Sequence, residues 1–178
     1  MKRILLSVAA LAALIAVILL VPNKNTNADF LRIHIRADSN DSADQQVKYV
    51  VKSAVVDYLT PKLTEATDKN KAMEIVAREL DNIQAVCDKT LADNGFKYTS
   101  RAKLCVEQFP DRAYNGVTLP AGAYDALIVE LGSAQGNNWW CVVYPPLCFV
   151  GGESNGTNKI VYKSKLMEII RAWQEKHK

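Results

Sequence analysis

The sequence predicts an α+β domain, its helices packed on a mostly antiparallel sheet in the order β-α-α-β-β-β-α, behind an N-terminal membrane or signal segment. Three observations carry this expectation. The spacing of apolar residues switches from alternation to helical periodicity and back to alternation along the chain. Clusters of Gly, Pro, Asn and Ser fall at the switches. An 18-residue run from Ile4 to Val21, polar only at Ser7, stands apart from everything that follows.

That run is nearly the roughly 20 apolar residues a helix needs to cross a bilayer, and longer than the usual apolar stretch of a cleaved signal. The tail from Pro22 to Ala28 offers only a poor cleavage pattern, with Thr26 and Ala28 at the small-residue positions. Residues 1–29 therefore read as an uncleaved anchor or slowly cleaved signal with a short linker, and 30–178 as one exported domain. Lys2 and Arg3 stay in the cytoplasm and send the remainder across the membrane, with Lys24 opposing this mildly. Of the 22 basic residues only Lys2, Arg3 and Lys24 precede Asp29, and all 19 acidic residues lie from Asp29 onward. The formal +3 thus belongs to the leader, and the domain is neutral. A nucleic-acid partner, which requires the excess on the domain itself, is disfavoured.

Residues 30–38, FLRIHIRAD, alternate between Leu31, Ile33, Ile35, Ala37 and Arg32, His34, Arg36, Asp38, as a strand with one buried and one solvated face does. Ser42-x-x-Gln45 has the form of a capping box, and Val47, Val50, Val51, Ala54, Val55, Tyr58 and Leu59 continue at helical spacing until Pro61. A second helix starts near Thr67-Asp68 and carries Met73, Val76, Leu80, Ile83, Cys87 and Leu91 on one stripe, stopping at Asn94-Gly95. Cys87 thereby faces the core. Tyr98–Phe109 alternates again, with Cys105 on the polar side. Pro110–Pro120, containing Asn115-Gly116, reads as a turn or hairpin loop. Tyr124–Leu131 is apolar on both faces, as an interior strand is, and Trp139–Tyr144 is extended up to Pro145-Pro146. Gly151–Asn158 is a polar linker, and Lys159–Lys176 closes the chain as an amphipathic helix.

Four cysteines in an exported domain favour disulfides, and Cys141 with Cys148, facing each other across the Pro-Pro bend, is the favoured pair. A zinc site has neither a C-x-x-C spacing nor a nearby histidine. His34 and His177 are the only histidines, and His177 borders the C-terminus. A nucleophilic device would have to join His34 to Cys141 or Cys148, so an exported cell-envelope cysteine hydrolase is the enzyme alternative. A glycan-binding module using the tryptophans is another alternative. No H-E-x-x-H, G-x-S-x-G or phosphate-loop pattern occurs, and no cofactor is expected. Adjacent tryptophans on a strand point to opposite faces, so one of Trp139 and Trp140 can be core while the other meets a partner.

The block Asn138-Trp-Trp-Cys-Val-Val-Tyr-Pro-Pro-Leu-Cys-Phe149 closely resembles the signature of the stage II sporulation protein R family. The resemblance extends to Leu119-Pro-Ala-Gly-Ala-Tyr-Asp-Ala-Leu127, Arg32-x-His34, Ala37-Asp-Ser-Asn40 and Asp44-Gln45-x-x-Lys48, covering roughly residues 30–150. Where the family usually shows Asn-Ser-Asp this chain has Asp38-Ser39-Asn40, and Arg36 stands in place of an apolar residue. The resemblance implies a non-enzymatic signalling protein. It would be made in the forespore and exported into the space between the two membranes of the sporangium. There it would activate a membrane-embedded aspartic protease of the mother cell that processes the sigma-E precursor. The expected contact residues are Arg32, His34, Asn138, Trp139, Trp140, Pro145 and Pro146.

Overall fold

The computed structural model describes residues 29–114, 117–148 and 167–175, so the leader, Asn115-Gly116 and the linker 151–158 lie outside the described residues. Strands β1 (Leu31–Arg36), β2 (Ser100–Phe109), β5 (Gly122–Leu131) and β6 (Asn138–Tyr144) form one sheet in the order β2-β5-β1-β6. β1 runs parallel to β5 and antiparallel to β6, and β2 is antiparallel to β5, so the sheet is mostly antiparallel as expected. A separate two-stranded hairpin, β3 (Arg112–Tyr114) with β4 (Val117–Leu119), occupies the stretch expected to be a turn or hairpin loop. Among the described residues no helix is long and apolar enough to cross a membrane.

Helices α1 (Ser42–Leu63), α2 (Lys69–Arg78) and α3 (Leu80–Asp93) cover one face of the sheet. Val47, Val51, Val55, Leu59 and Leu63 of α1 bury against Ile33, Ile35, Leu127, Val129 and Val143, which a helix with one apolar stripe requires. Residues 167–175 form a fourth helix, α4, which with the β3–β4 hairpin borders a second core on the opposite face: Phe30, Phe109, Leu119, Tyr124, Ala126, Ile128 and Val142. β1 and β5 are therefore buried on both sides.

Three local expectations change. The capping box is not formed: Asp41 is the N-cap without a side-chain bond, Ser42 is already helical, and the Gln45 amide donates instead to the Ser39 carbonyl at 2.8 Å. Pro61 does not end α1, which runs on to Leu63. Near a helix end the missing N–H removes a single bond, and the Thr60 and Thr64 hydroxyls donate to the carbonyls of Val56 and Pro61. The second expected helix is broken at Glu79 into α2 and α3. No Pro or Gly marks the break. Glu79 is pinned by α1, accepting from the Tyr58 hydroxyl at 2.5 Å and pairing with Lys62 at 3.3 Å, and by Asn82 at 3.0 Å. The α3 stop is as expected, with Gly95 at φ +83°, Gly95 N–H bonded to Ala92 and Phe96 N–H to Leu91 in a Schellman pattern.

The Tyr58 hydroxyl, followed by Asn82 and Lys62, holds the Glu79 carboxyl down to about 2, against an ordinary 4.5. A carboxyl depressed in the folded state contributes stability above its unfolded pKa and loses it as pH falls through the folded one. Wild-type stability should therefore fall between pH 4.5 and 2, and Glu79→Gln should flatten that fall in urea titrations followed by circular dichroism.

Candidate partner-binding site

The polar row of β1 is not the half-solvated surface its alternation suggests. Arg32 is 0% exposed and His34 is 4% exposed, because the β3–β4 hairpin and neighbouring strands close over them. The Arg32 guanidinium lies over the rings of Phe109 (4.3 Å), Tyr124 (4.8 Å) and Tyr114 (5.4 Å). Its Nε donates to the Cys141 carbonyl at 3.3 Å and one Nη to the Tyr114 hydroxyl at 2.8 Å. No carboxylate pairs with it among the described residues. Cation–π contact and two acceptors replace an ion pair, a solution a planar, weakly hydrated guanidinium accepts and an ammonium does not.

His34 stacks on Trp140 (5.3 Å) and meets Phe109 edge-on (6.0 Å), with Nδ1 placed 3.2 Å from the Glu107 carboxylate. Burial lowers its pKa, opposed by the Asn138 side chain and by Glu107. Arg36 bridges Glu107 and Glu130, and Lys103 donates to Glu130 at 2.8 Å, so the row continues as alternating charge across three strands.

A second cluster explains the first sequence block. The loop between β5 and β6 docks on the loop after β1: Gln135 N–H to Asp38 O (2.9 Å), Gly136 N–H to Ala37 O (2.9 Å), and Asn137 N–H to the Asn40 side chain (2.7 Å). The Ser133 hydroxyl donates to the Asp38 carbonyl at 2.9 Å and its N–H to the Asp38 carboxylate. From α1, the buried Lys48 ammonium reaches the Asn137 carbonyl at 2.9 Å and the Gln45 side chain at 2.7 Å, while Asp44 accepts from Tyr98 at 2.7 Å. Ala37–Asn40 and Asp44–Lys48 are thus one device that fixes the start of β6, just before Asn138-Trp139-Trp140.

β6 then turns the two tryptophans to opposite faces. Trp139 packs with the helix-side core, 5.9 Å under the Lys52 ammonium, and Trp140 with the second core, 4.9 Å under the Arg112 guanidinium. Both are half-buried and Asn138 is exposed. Cys141 and Cys148 are joined by a disulfide, and the Val142 N–H reaches Cys148 Sγ at 2.9 Å. Pro145 and Pro146 are buried beneath this corner. Cys87 is a buried thiol facing the core as expected, and Cys105 is exposed.

Of the expected contact residues, then, Asn138, Trp139 and Trp140 present accessible surface, and Arg32, His34, Pro145 and Pro146 are buried. The last four cannot form the outer contact face in this arrangement, because neighbouring side chains already exclude water from them. The sequence reading missed Phe109, Tyr114 and Tyr124 as the cage, and Tyr98 and Asn137 as parts of the loop lock. Their only common signal was proximity to turn clusters, which does not identify a contact.

Arg32→Lys should destabilise the fold by about 2 kcal/mol more than Arg32→Met, since it leaves a compact buried charge with no counterion. Urea unfolding of the two variants measures this. A Cβ on Gly136 would lie 2.1 Å from the Ser39 carbonyl oxygen, so Gly136→Ala should cost about 2–4 kcal/mol in the same assay and loosen the loop lock.

Residues 27–154 match the family model for stage II sporulation protein R. The chain is 32% identical over 120 residues to Stage II sporulation protein R of Bacillus subtilis (strain 168), an alignment covering 67% of this chain and 54% of that protein. The chain thus spans about half the length of that relative. No solved structure matches. The Trp-Trp-Cys corner, the loop lock behind it and the caged Arg32 all lie inside the matched span, and the chain belongs to the stage II sporulation protein R family.

Proposed function

We propose that this protein is an exported sporulation signal. It is made in the forespore, crosses the cytoplasmic membrane on its leader, and switches on a membrane-embedded aspartic protease of the mother cell, leading to processing of the sigma-E precursor. Family membership supports the sporulation role, and the leader's apolar run supports export. The observation that favours a binding role over the hydrolase alternative is the Cys141–Cys148 disulfide, which leaves neither cysteine a thiolate to attack a substrate. Cys87 offers no substitute, since burial pushes its thiol up to about 12.

A ligand that activates must bind the active state of its target more tightly than the inactive one. The accessible Asn138 lies beside Trp139 and Trp140 on the edge strand β6, which supply a large anchor on each face of that edge, Trp139 beside Lys52 and Trp140 beside Arg112. His34, stacked on Trp140, supports that surface from within.

Co-expression of the full chain with the protease and the precursor, scoring precursor cleavage, tests the proposal. Asn138→Ala, Trp139→Ala and Trp140→Ala should each reduce cleavage about tenfold or more, as truncated anchors do. Circular dichroism and export should stay at wild-type levels. Wild-type cleavage by all three variants would move the contact elsewhere, and cleavage independent of this chain would remove the signalling role.

A further inference from the structure

β2 is an edge of the main sheet, and its hydrogen-bonding phase can be read from its first residues. Ser100 N–H donates to the Asp88 carboxylate at 2.6 Å and Ala102 N–H to the Gln84 side chain at 3.1 Å, both on α3. Along a strand the N–H and C=O of successive residues point to alternate sides. Even-numbered residues of β2 therefore face away from β5, and α3 occupies the edge only as far as Ala102. Beyond it, Leu104, Val106 and Gln108 direct their backbone groups to an edge that is open among the described residues, and Val106 is 66% exposed. Cys105 lies between them as an exposed free thiol, with Lys103 two residues before it and Glu107 two residues after.

From this arrangement we infer that β2 pairs antiparallel with β2 of a second copy of this chain, on a two-fold axis through Cys105. The sequence around the axis is self-complementary. Lys103 falls opposite Glu107 of the second copy, and Glu107 opposite its Lys103, on the face that carries Cys105. Leu104 falls opposite Val106 of the second copy, and the two exchange both N–H···O bonds, which covers the exposed Val106 side chain. Cys105 then sits in a non-hydrogen-bonded pair, where the two Cα atoms approach to about 4.5 Å, inside the range a disulfide spans.

The contact is small, so association is weak until the two Cys105 thiols are joined. A low-molecular-weight disulfide is the oxidant. One Cys105 thiolate attacks it, releasing one small thiol and leaving a mixed disulfide. The second Cys105 thiolate displaces the other small thiol, so two protein thiols become one bridge and one small disulfide becomes two thiols. The charge complementarity of Lys103 and Glu107 about Cys105 is why a second copy, and not a foreign strand, is the occupant.

Titrating the full chain with glutathione disulfide, followed by non-reducing electrophoresis and peptide mapping, tests the pairing. The expected product is a dimer linked Cys105 to Cys105. Val106→Pro removes an N–H that faces only the open edge, so the fold and thermal midpoint should be unchanged while cross-linking slows about tenfold or more. Arg101→Cys in a Cys105→Ser background, a thiol on the same face but off the axis, should cross-link about tenfold more slowly than wild type. Equal cross-linking by Val106→Pro and wild type, equal cross-linking by the off-axis thiol, or a chain that only gains glutathione on Cys105 would each overturn the inference.

Discussion

The burial of Arg32 near the start of β1 is the constraint to which the second face of the sheet is fitted. A guanidinium withdrawn from water costs several kcal/mol unless its surroundings replace the lost hydration. Here the replacement comes from three separate parts of the chain: Phe109 at the end of β2, Tyr114 on the hairpin, and Tyr124 on β5. The Cys141 carbonyl supplies a fourth contact from β6. None of these elements is optional once Arg32 is inside. The β3–β4 hairpin, only two strands of three residues, is held on the sheet by this contact together with buried Leu119 and Arg112 over Trp140.

The same strand organises the other end of the molecule. Where β1 leaves the sheet, Ala37–Asn40 hold the loop that feeds β6, and Lys48 closes the arrangement from α1. Two sequence blocks about a hundred residues apart become one rigid unit, whose product is the position of Trp139 and Trp140. The disulfide performs a matching task at the far end of β6, tying Cys148 back to Cys141. A loop closed in this way is stabilised chiefly by restricting the unfolded chain, and it adds to the packing of Val143, Tyr144 and Leu147 in the two cores. The tryptophan surface is therefore fixed from both ends, as a ligand that must discriminate between two states of a target needs to be.

Much of this was legible before any coordinates. The alternation of FLRIHIRAD located β1, the helical stripe through Val47, Val51 and Val55 located α1, and the apolar run Tyr124–Leu131 located the interior strand. The Cys141–Cys148 pair and the opposed tryptophans followed from spacing and strand period. Most of what failed has a common cause. The break at Glu79 and the burial of Arg32 and His34 are decided by residues remote in sequence, Tyr58 and Lys62 for Glu79 and the aromatic cage for Arg32, while the capping box loses Gln45 to the nearby Ser39 carbonyl.

Periodicity reports which side chains share a face, and for this protein it located most of the elements, while the signature block from Asn138 to Phe149 pointed to the family. It does not report what covers a face. A polar row on a strand reads as solvated because water is the default partner of charge, and only the tertiary structure could show that rings, carbonyls and carboxylates from β2, β5 and β6 take the place of water. Likewise the sequence contained Lys103, Cys105 and Glu107, but only the bonding of Ser100 and Ala102 to α3 decided which side of β2 is open. Local sequence sets direction along the chain; the side from which a partner arrives is a property of the packed sheet.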